Sequence, residues 1–243
     1  IPNSMSTINL STFYGCKKLE RVVSPEGLLN INYAFSNCEA LTTVNLPKSL
    51  QTIGNDAFYK TKIQTLNLSE CTELVSIGWG AFRECSELKE VILPASLQSL
   101  GNDAFSNSNI ITIDLSKTKI QDIKGSTFSN CRQLESVKLP TELKTIESYA
   151  FNDCQKLAGM IELPATVVSI GDGAFWGTQI PVIRCHATTP PVINSNSFGD
   201  KWETAFVPEG YGDVYKSTEI WEDKVILDKE VHAEVTISYE GNL

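Results

Sequence analysis

Residues 41–85 read LTTVNLPKSLQTIGNDAFYKTKIQTLNLSECTELVSIGWGAFREC, and within them one pattern is stated nearly twice: a short apolar strand, a turn, an Ile-Gly step, then Ala-Phe. Outward from this stretch the Phe recurs at positions 13, 35, 58, 82, 105, 128, 151 and 175, at gaps of 22, 23, 24, 23, 23, 23 and 24 residues. A unit of that length cannot bury its own apolar face and must lean on its neighbours. The expected fold class is therefore a repeat solenoid, a coil of short strand-like segments with turns and little helix.

Each unit carries two strand-like segments. The first is L-x-x-V-x-L, as in Leu41-Val44-Leu46, Ile63-Leu66-Leu68, Leu88-Val91-Leu93, Ile110-Ile113-Leu115 and Leu134-Val137-Leu139. The last two apolar residues alternate, so they share one strand face and the residues between them point the other way. The second segment is L-x-x-I, as in Leu50-Ile53 and Leu143-Ile146. Pro47, Pro94, Pro140 and Pro164 end the first strand in four units, where a residue with no N–H stops a ladder. Ser69 and Ser116 replace it in two. Those two units are one residue shorter between Phe and strand and have a longer turn to match, which predicts that the coil register is held constant along the array. Gly54, Gly78, Gly101 and Gly171 follow the Ile, but Lys124 and Glu147 occupy the same place, so a positive φ is not required there.

Residues 1–11 read as an N-terminal cap or truncated repeat, with Ile8 and Leu10 on one strand face; 12–198 as the repeats; and 199–243 as an acidic C-terminal capping segment. The unit at Leu157-Ala158-Gly159-Met160 has one extra residue, which predicts a bulge or widened turn. Phe198 marks a ninth, degenerate unit. Beyond it, 205–208 read as a last strand, 212–221 as a short helix carrying Tyr215 and Trp221, and 231–239 as one more strand.

Charge and composition exclude several functions. The chain has 20 Lys/Arg against 29 Asp/Glu, and 199–243 hold 4 against 11. No part offers the basic surface that a nucleic acid or an anionic membrane requires, and no apolar run reaches the ~20 residues of a membrane span. The sequence shows no signal peptide and starts at Ile1, as a trimmed chain does, so compartment is not decided by it. Of seven Cys, five stand three residues after the repeat Phe, where Thr61, Ser108 and Thr178 take the same place in other units. They read as small buried fillers of one slot, not as a disulfide framework or a zinc site. His186 follows Cys185 directly, and adjacent strand residues face opposite ways, so the two make a poor nucleophile and base. The other His is His232. No phosphate loop, H-E-x-x-H or G-x-S-x-G occurs. The expectation is no enzyme and no cofactor or metal.

The repeat L-x-x-V-x-L-P-x-S-L-x-x-I-G-x-x-A-F-x-x-C, whole at 41–85 and again at 88–105, resembles the BspA-like leucine-rich repeat family. The 188–221 stretch, TTPPVINSNSF…FVPEGYGDVYKSTEIW, is similar to the closing segment of Bacteroides members. The resemblance implies a right-handed solenoid of stacked parallel strands. It also implies an extracytoplasmic protein, cell-surface or secreted, of a host-associated bacterium. Some members are adhesins for host extracellular matrix or for other bacteria.

The family motif is a scaffold and carries no site residues over. Candidate contacts are instead the outward positions of the first strand: Asn45, Asn67, Glu90, Asp114, Lys138, Glu162 and Arg184. Successive strands ~4.8 Å apart make this stripe roughly 35–40 Å long. Trp79 and Trp176 are alternative exposed anchors. The function expected is an adhesin-like protein-binding module, acting as a monomer. The alternatives are a structural spacer solenoid and a carbohydrate-binding module, which needs an aromatic platform the stripe does not display.

Overall fold

The computed structural model describes residues 1–2, 4–9 and 11–228; Leu10, His232 and the strand expected over 231–239 lie outside them. The chain is a parallel β-solenoid of about ten turns with almost no helix. Among the described residues, eight short strands alternate with the longer ones, and the last two longer strands have no short strand beside them. The short strands are β1 (Thr7–Ile8), β3 (Asn30–Ile31), β5 (Thr52–Ile53), β7 (Ser76–Ile77), β9 (Ser99–Leu100), β11 (Asp122–Ile123), β13 (Thr145–Ile146) and β15 (Ser169–Ile170). The longer ones are β2 (Arg21–Val23), β4 (Thr43–Asn45), β6 (Thr65–Asn67), β8 (Glu90–Ile92), β10 (Thr112–Asp114), β12 (Ser136–Lys138), β14 (Ala158–Leu163), β16 (Gln179–Cys185), β17 (Thr204–Phe206) and β18 (Val225–Leu227). Residues 1–11 thus supply a second-strand half-coil, β1, paired with β3.

The Phe side chains form one internal column. From Phe13 to Phe198 the nine rings stack with centroids 5.1–5.6 Å apart and planes within 9° of parallel. All but Phe13, at the first coil, are buried. The column ends by turning its rings. Trp202 tilts 51° against Phe198, Trp221 meets Trp202 at 79°, and Tyr215 meets Trp221 at 83°. Edge-on rings offer no further parallel face to a following coil. Their polar tips are satisfied: the Tyr215 hydroxyl donates to the Ala187 carbonyl at 2.7 Å and the Trp221 Nε1–H to that of Pro191 at 3.3 Å.

The backbone around each Phe explains how coils lock. Residues two before and two after every Phe from Phe13 to Phe175 are left-handed, as in Asp56 (φ 45°) and Lys60 (φ 56°) beside Phe58. This alternation aims every second N–H along the solenoid axis. Asp56, Phe58 and Lys60 donate to the carbonyls of Trp79, Ala81 and Arg83 in the next coil at 2.8, 2.8 and 3.1 Å. The intervening Tyr59 and Thr61 N–H groups fold back to Asp56 and Phe58. A turn that would otherwise orphan its backbone groups becomes a ladder. The Gly after the Ile acts differently. At Gly101 φ is not positive, but a Cβ would sit 2.5 Å from the Trp79 backbone nitrogen. Close approach of coils demands glycine there. Lys124 and Glu147 hold the place in two successive coils and pair with each other, Nζ to Oε1 at 2.8 Å.

The Cys slot is buried from Cys38 to Cys154, and Cys16 is exposed. The thiols of Cys38, Cys85, Cys131 and Cys154 donate to the Phe carbonyl of the preceding coil at 3.0–3.3 Å. The other occupants bond differently: the Thr61 and Ser108 hydroxyls lie 3.3 Å from the Cys85 and Cys131 sulfurs of the next coil, and Thr178 donates to the Phe175 carbonyl of its own coil. Burial pushes the Cys85 and Cys131 thiols up to about 11, and holds them protonated.

Three details differ from the expectation. Helix α1 covers only Gly212–Lys216, so Trp221 sits in the turn beyond it; the hydroxyls of Ser217 and Thr218 bond back to the Val214 carbonyl at 2.8 and 3.0 Å and end it. The last strand before the helix is Thr204–Phe206, and Val225–Leu227 adds one more after it.

The third concerns register. The short strands form one unbroken eight-stranded sheet, but the longer strands split into β2-β4, β6-β8-β10-β12 and β14-β16-β17-β18. The gaps fall where a Pro-turn coil is followed by the shortened Ser-turn coil, at β4/β6, and by the bulged coil, at β12/β14. The other Pro-to-Ser step, β8/β10, keeps a single residue pair, Glu90 with Thr112. Moving one residue from one loop to the other thus preserves the Phe column and the short strands while displacing the longer strand. On the N-terminal side of each full gap the inward residue, Val44 or Val137, is half-exposed, whereas its equivalents in the other coils are buried.

Candidate functional site: a segmented strand face

The outward side chains of the longer strands form two columns. Register aligns Thr65, Glu90, Thr112 and Ser136 in one, and Asn67, Ile92, Asp114 and Lys138 in the other. Glu162 pairs with Arg184 and Arg184 with Phe206, which continue the second kind of position. Of the seven stripe residues, six hold that position. Glu90 stands in the first column, its coil presenting Ile92 instead. All seven face outward, Arg184 half-buried and the rest exposed. The gaps divide them. Asn45 belongs to the first segment; Asn67, Glu90, Asp114 and Lys138 to the second; Glu162 and Arg184 to the third.

Two of the seven serve the fold. Asn67 Oδ1 accepts the Ser69 N–H at 3.0 Å, and Asp114 Oδ1 accepts the Ser116 N–H at 2.9 Å and its hydroxyl at 2.6 Å. These side chains close the turn in the two units that lack Pro. The Ser116 hydroxyl holds the Asp114 carboxyl below its ordinary range, and Lys138, with Nζ 3.4 Å from Oδ2, adds to it. The sequence carried the signal in the shared patterns Asn-Leu-Ser and Asp-Leu-Ser.

The bulge creates the deepest part of this face. Gly159, at φ 78°, carries the extra residue and shifts the register between Ala158 and Met160. β14 and β12 then do not pair, and a groove of about 460 Å³ opens between them. Val137, Leu139 and Met160 give it apolar surface; Lys138, Glu162 and His186 line it with charge or hydrogen-bonding capacity. Met160 is 43% exposed, and His186 Nε2 lies 3.7 Å from Glu162 Oε2. The guanidinium of Arg184 lies over the Phe206 ring at 5.5 Å.

Trp79 and Trp176 lie outside this face, on the Phe turns, and are 42% and 47% exposed. Arg83 covers Trp79 at 5.0 Å and Tyr59 at 4.4 Å. Tyr14, Tyr33 and Tyr149 lie on the same turns, Tyr14 and Tyr33 stacked at 5.7 Å. Among the described residues, the exposed aromatics thus concentrate on the turn ridge, with Phe206 under Arg184 on the strand face. Cys185 and His186 point apart as adjacent strand residues must: Cys185 is buried, against the Tyr215 hydroxyl at 3.2 Å, and His186 is exposed. Among the described residues no group of three or more His, Cys, Asp or Glu side chains is placed to hold a metal ion, and no helix is long and apolar enough to cross a membrane.

No curated protein matches the chain. Among solved structures, it is similar to a leucine-rich repeat protein from Bacteroides ovatus ATCC 8483, at 26% identity and TM-score 0.74 over 85% of this chain and 54% of that one. The chain thus spans about half the length of that relative. A leucine-rich repeat protein of T. pallidum is 27% identical over 73% of this chain and 74% of that one, with TM-score 0.48. A leucine rich cell surface protein from Faecalibacterium prausnitzii A2-165 is 23% identical over 72% and 62%, with TM-score 0.38. Residues 6–132, 52–181 and 121–211 match the family described as BspA type leucine rich repeat region, six copies. With this match running through the coils whose Phe column, paired short strands and donor slot are described above, the chain belongs to the BspA type leucine-rich repeat family.

Proposed function

We propose that this chain is a non-enzymatic, adhesin-like module of a bacterial cell surface that binds a partner protein through its longer-strand face. The partner is a host matrix protein or a protein of another bacterial surface. In this reading 12–198 are the binding repeats, 199–243 cap them, 1–11 open the array, and the module acts as a monomer outside the cytoplasm. One observation carries it: the groove at the β12/β14 gap, where Val137, Leu139 and Met160 lie open beside Lys138, Glu162 and His186. An apolar centre with a polar rim is the composition of a protein-binding patch. It also replaces an even stripe by a graded one, with contacts centred on Lys138, Glu162 and Arg184 and with Asn45 and Glu90 peripheral.

The test is a binding screen of the folded protein against immobilised matrix proteins, followed by two variants. Met160→Asp with Lys138→Glu is expected to weaken saturable binding at least tenfold, and Glu90→Arg to change it little. Unchanged binding in the first variant would refute the assignment of the face.

A further inference from the structure

On the opposite shoulder of the coils, between the short strands and the Phe turns, lies an open trough of about 730 Å³. Its walls come from the five coils that carry Asn102, Ser126, Ser148, Ser169 and Asn194. The width follows from glycine. Gly125 faces the Asn102 carboxamide, where a Cβ would lie 3.3 Å from Nδ2, and at Gly171 a Cβ would lie 2.5 Å from the Ser148 nitrogen. Among the described residues, the hydroxyls of Ser126, Thr145, Ser148 and Ser169 and the carboxamide of Asn102 make no hydrogen bond, so each offers a donor and an acceptor to the trough. No cation lines it. Glu147, its one charged group, is already held by Lys124 Nζ at 2.8 Å and by the Gly125 N–H at 3.0 Å.

One wall is aromatic. Tyr149 is 47% exposed although it occupies a left-handed position, φ 61°, that a bulky side chain seldom takes. Two contacts fix its ring. Gly173 of the next coil lies against its edge, where a Cβ would come within 2.6 Å of Cε1, and its hydroxyl donates to Asp172 Oδ2 at 3.2 Å.

The geometry points to a binding site for a neutral carbohydrate. A pyranose ring presents hydroxyls around its rim and a C–H face, and the trough presents unengaged hydroxyls, the Asn102 carboxamide, the apolar side chains of Val192 and Ile193 and one fixed aromatic wall. An anionic ligand would meet the Glu147 carboxylate and a Lys124 ammonium already paired with it, and an apolar peptide anchor would leave the five polar groups unpaired. This site is separate from the longer-strand face and does not depend on it.

The experiment is a glycan array probed with the full chain, followed by titration of a bound neutral oligosaccharide monitored by saturation-transfer NMR. Neutral glycans are expected to bind saturably, in preference to sialylated and sulfated ones. Tyr149→Ala is expected to weaken binding at least tenfold and Asn102→Ala several-fold. Tyr149→Phe, which keeps the ring, and Trp176→Ala, outside the trough, are expected to bind within about twofold of the parent. Circular dichroism melts establish that each variant is folded. Should Tyr149→Ala prove unfolded, Asn102→Ala together with Ser126→Ala carries the test. Absence of neutral-glycan binding, a preference for charged glycans, binding only of protein ligands, or full retention of affinity in the folded trough variants overturns the assignment.

Discussion

The two strand sheets of this solenoid come from the same coils and behave differently. The short-strand sheet is continuous through eight strands, while the longer-strand sheet is cut into three. The short strand is separated from the Phe turn by a step of the same length in all coils but that of Ile31 and Phe35, so it inherits the turn's register. The longer strand follows a link of variable length and does not. Stacking is therefore specified by one half of each coil, and the other half is free to shift, bulge and open.

The sharpest way to break this contrast is Phe105→Ala. It removes one ring from the middle of the column and is expected to cost about 3–5 kcal/mol in chemical denaturation. An outward change on the other side, Glu90→Ala, is expected to stay within about 0.5 kcal/mol. Equal losses would show that both halves carry the stack. Next is Gly101→Ala, with an expected loss of about 1–3 kcal/mol because the added Cβ meets the backbone of the preceding coil; a neutral result would mean that coils can separate locally.

Smaller effects separate structural from free residues within each half. Cys85→Ala is expected to be less stable than Cys85→Ser by roughly 1 kcal/mol, since only Ser keeps a donor for the Phe58 carbonyl. Equal stability would leave size as the slot's only requirement. On the face, Asp114→Ala is expected to cost about 0.5–1 kcal/mol through the lost turn, and Lys138→Ala less than half of that.

The smallest is a pH effect. Burial raises the Cys85 and Cys131 thiols from 9.0 to about 11. The neutral form is thus favoured in the fold, and the stability it contributes is complete below about pH 9 and lost as pH rises towards 11. A double Cys85→Ser and Cys131→Ser variant is expected to lose less stability than the parent between pH 8.5 and about 10.5, measured by urea midpoints.

The same division decides what could be read from the sequence. The spine was legible because Phe, Ala and the Ile step repeat at a fixed period, and each has a one-to-one physical role. The left-handed positions were less so. Gly15, Asn37, Asn107, Asn130, Asp153 and Gly177 signal them two residues after Phe, but Lys60 and Glu84 stand at the same place and dilute the pattern. The gaps were hidden because the compensation that keeps the period constant is visible in a count, whereas its effect on strand pairing is a matter of three-dimensional displacement. On the face, Asn67 and Asp114 looked like free polar residues until their bonds to Ser69 and Ser116 placed them in turns. The trough was invisible because its polar residues lie in five different coils, between motif positions such as Ile146 and Ile170 that the repeat does fix.

The gaps between β4 and β6 and between β12 and β14 have a mechanical consequence. Bending the rod about its unbroken ladder changes their width and loads few hydrogen bonds, such as that from the Lys62 N–H to the Leu41 carbonyl at 2.9 Å. Bending it towards the other side must strain the ladders of eight strands and of the Phe turns, whose bonds resist together. The curvature of the longer-strand face is therefore soft, and the opposite edge acts as an inextensible tape. Such a surface conforms to partners of different radius at low elastic cost, using two seams set by the placement of a proline and one additional residue.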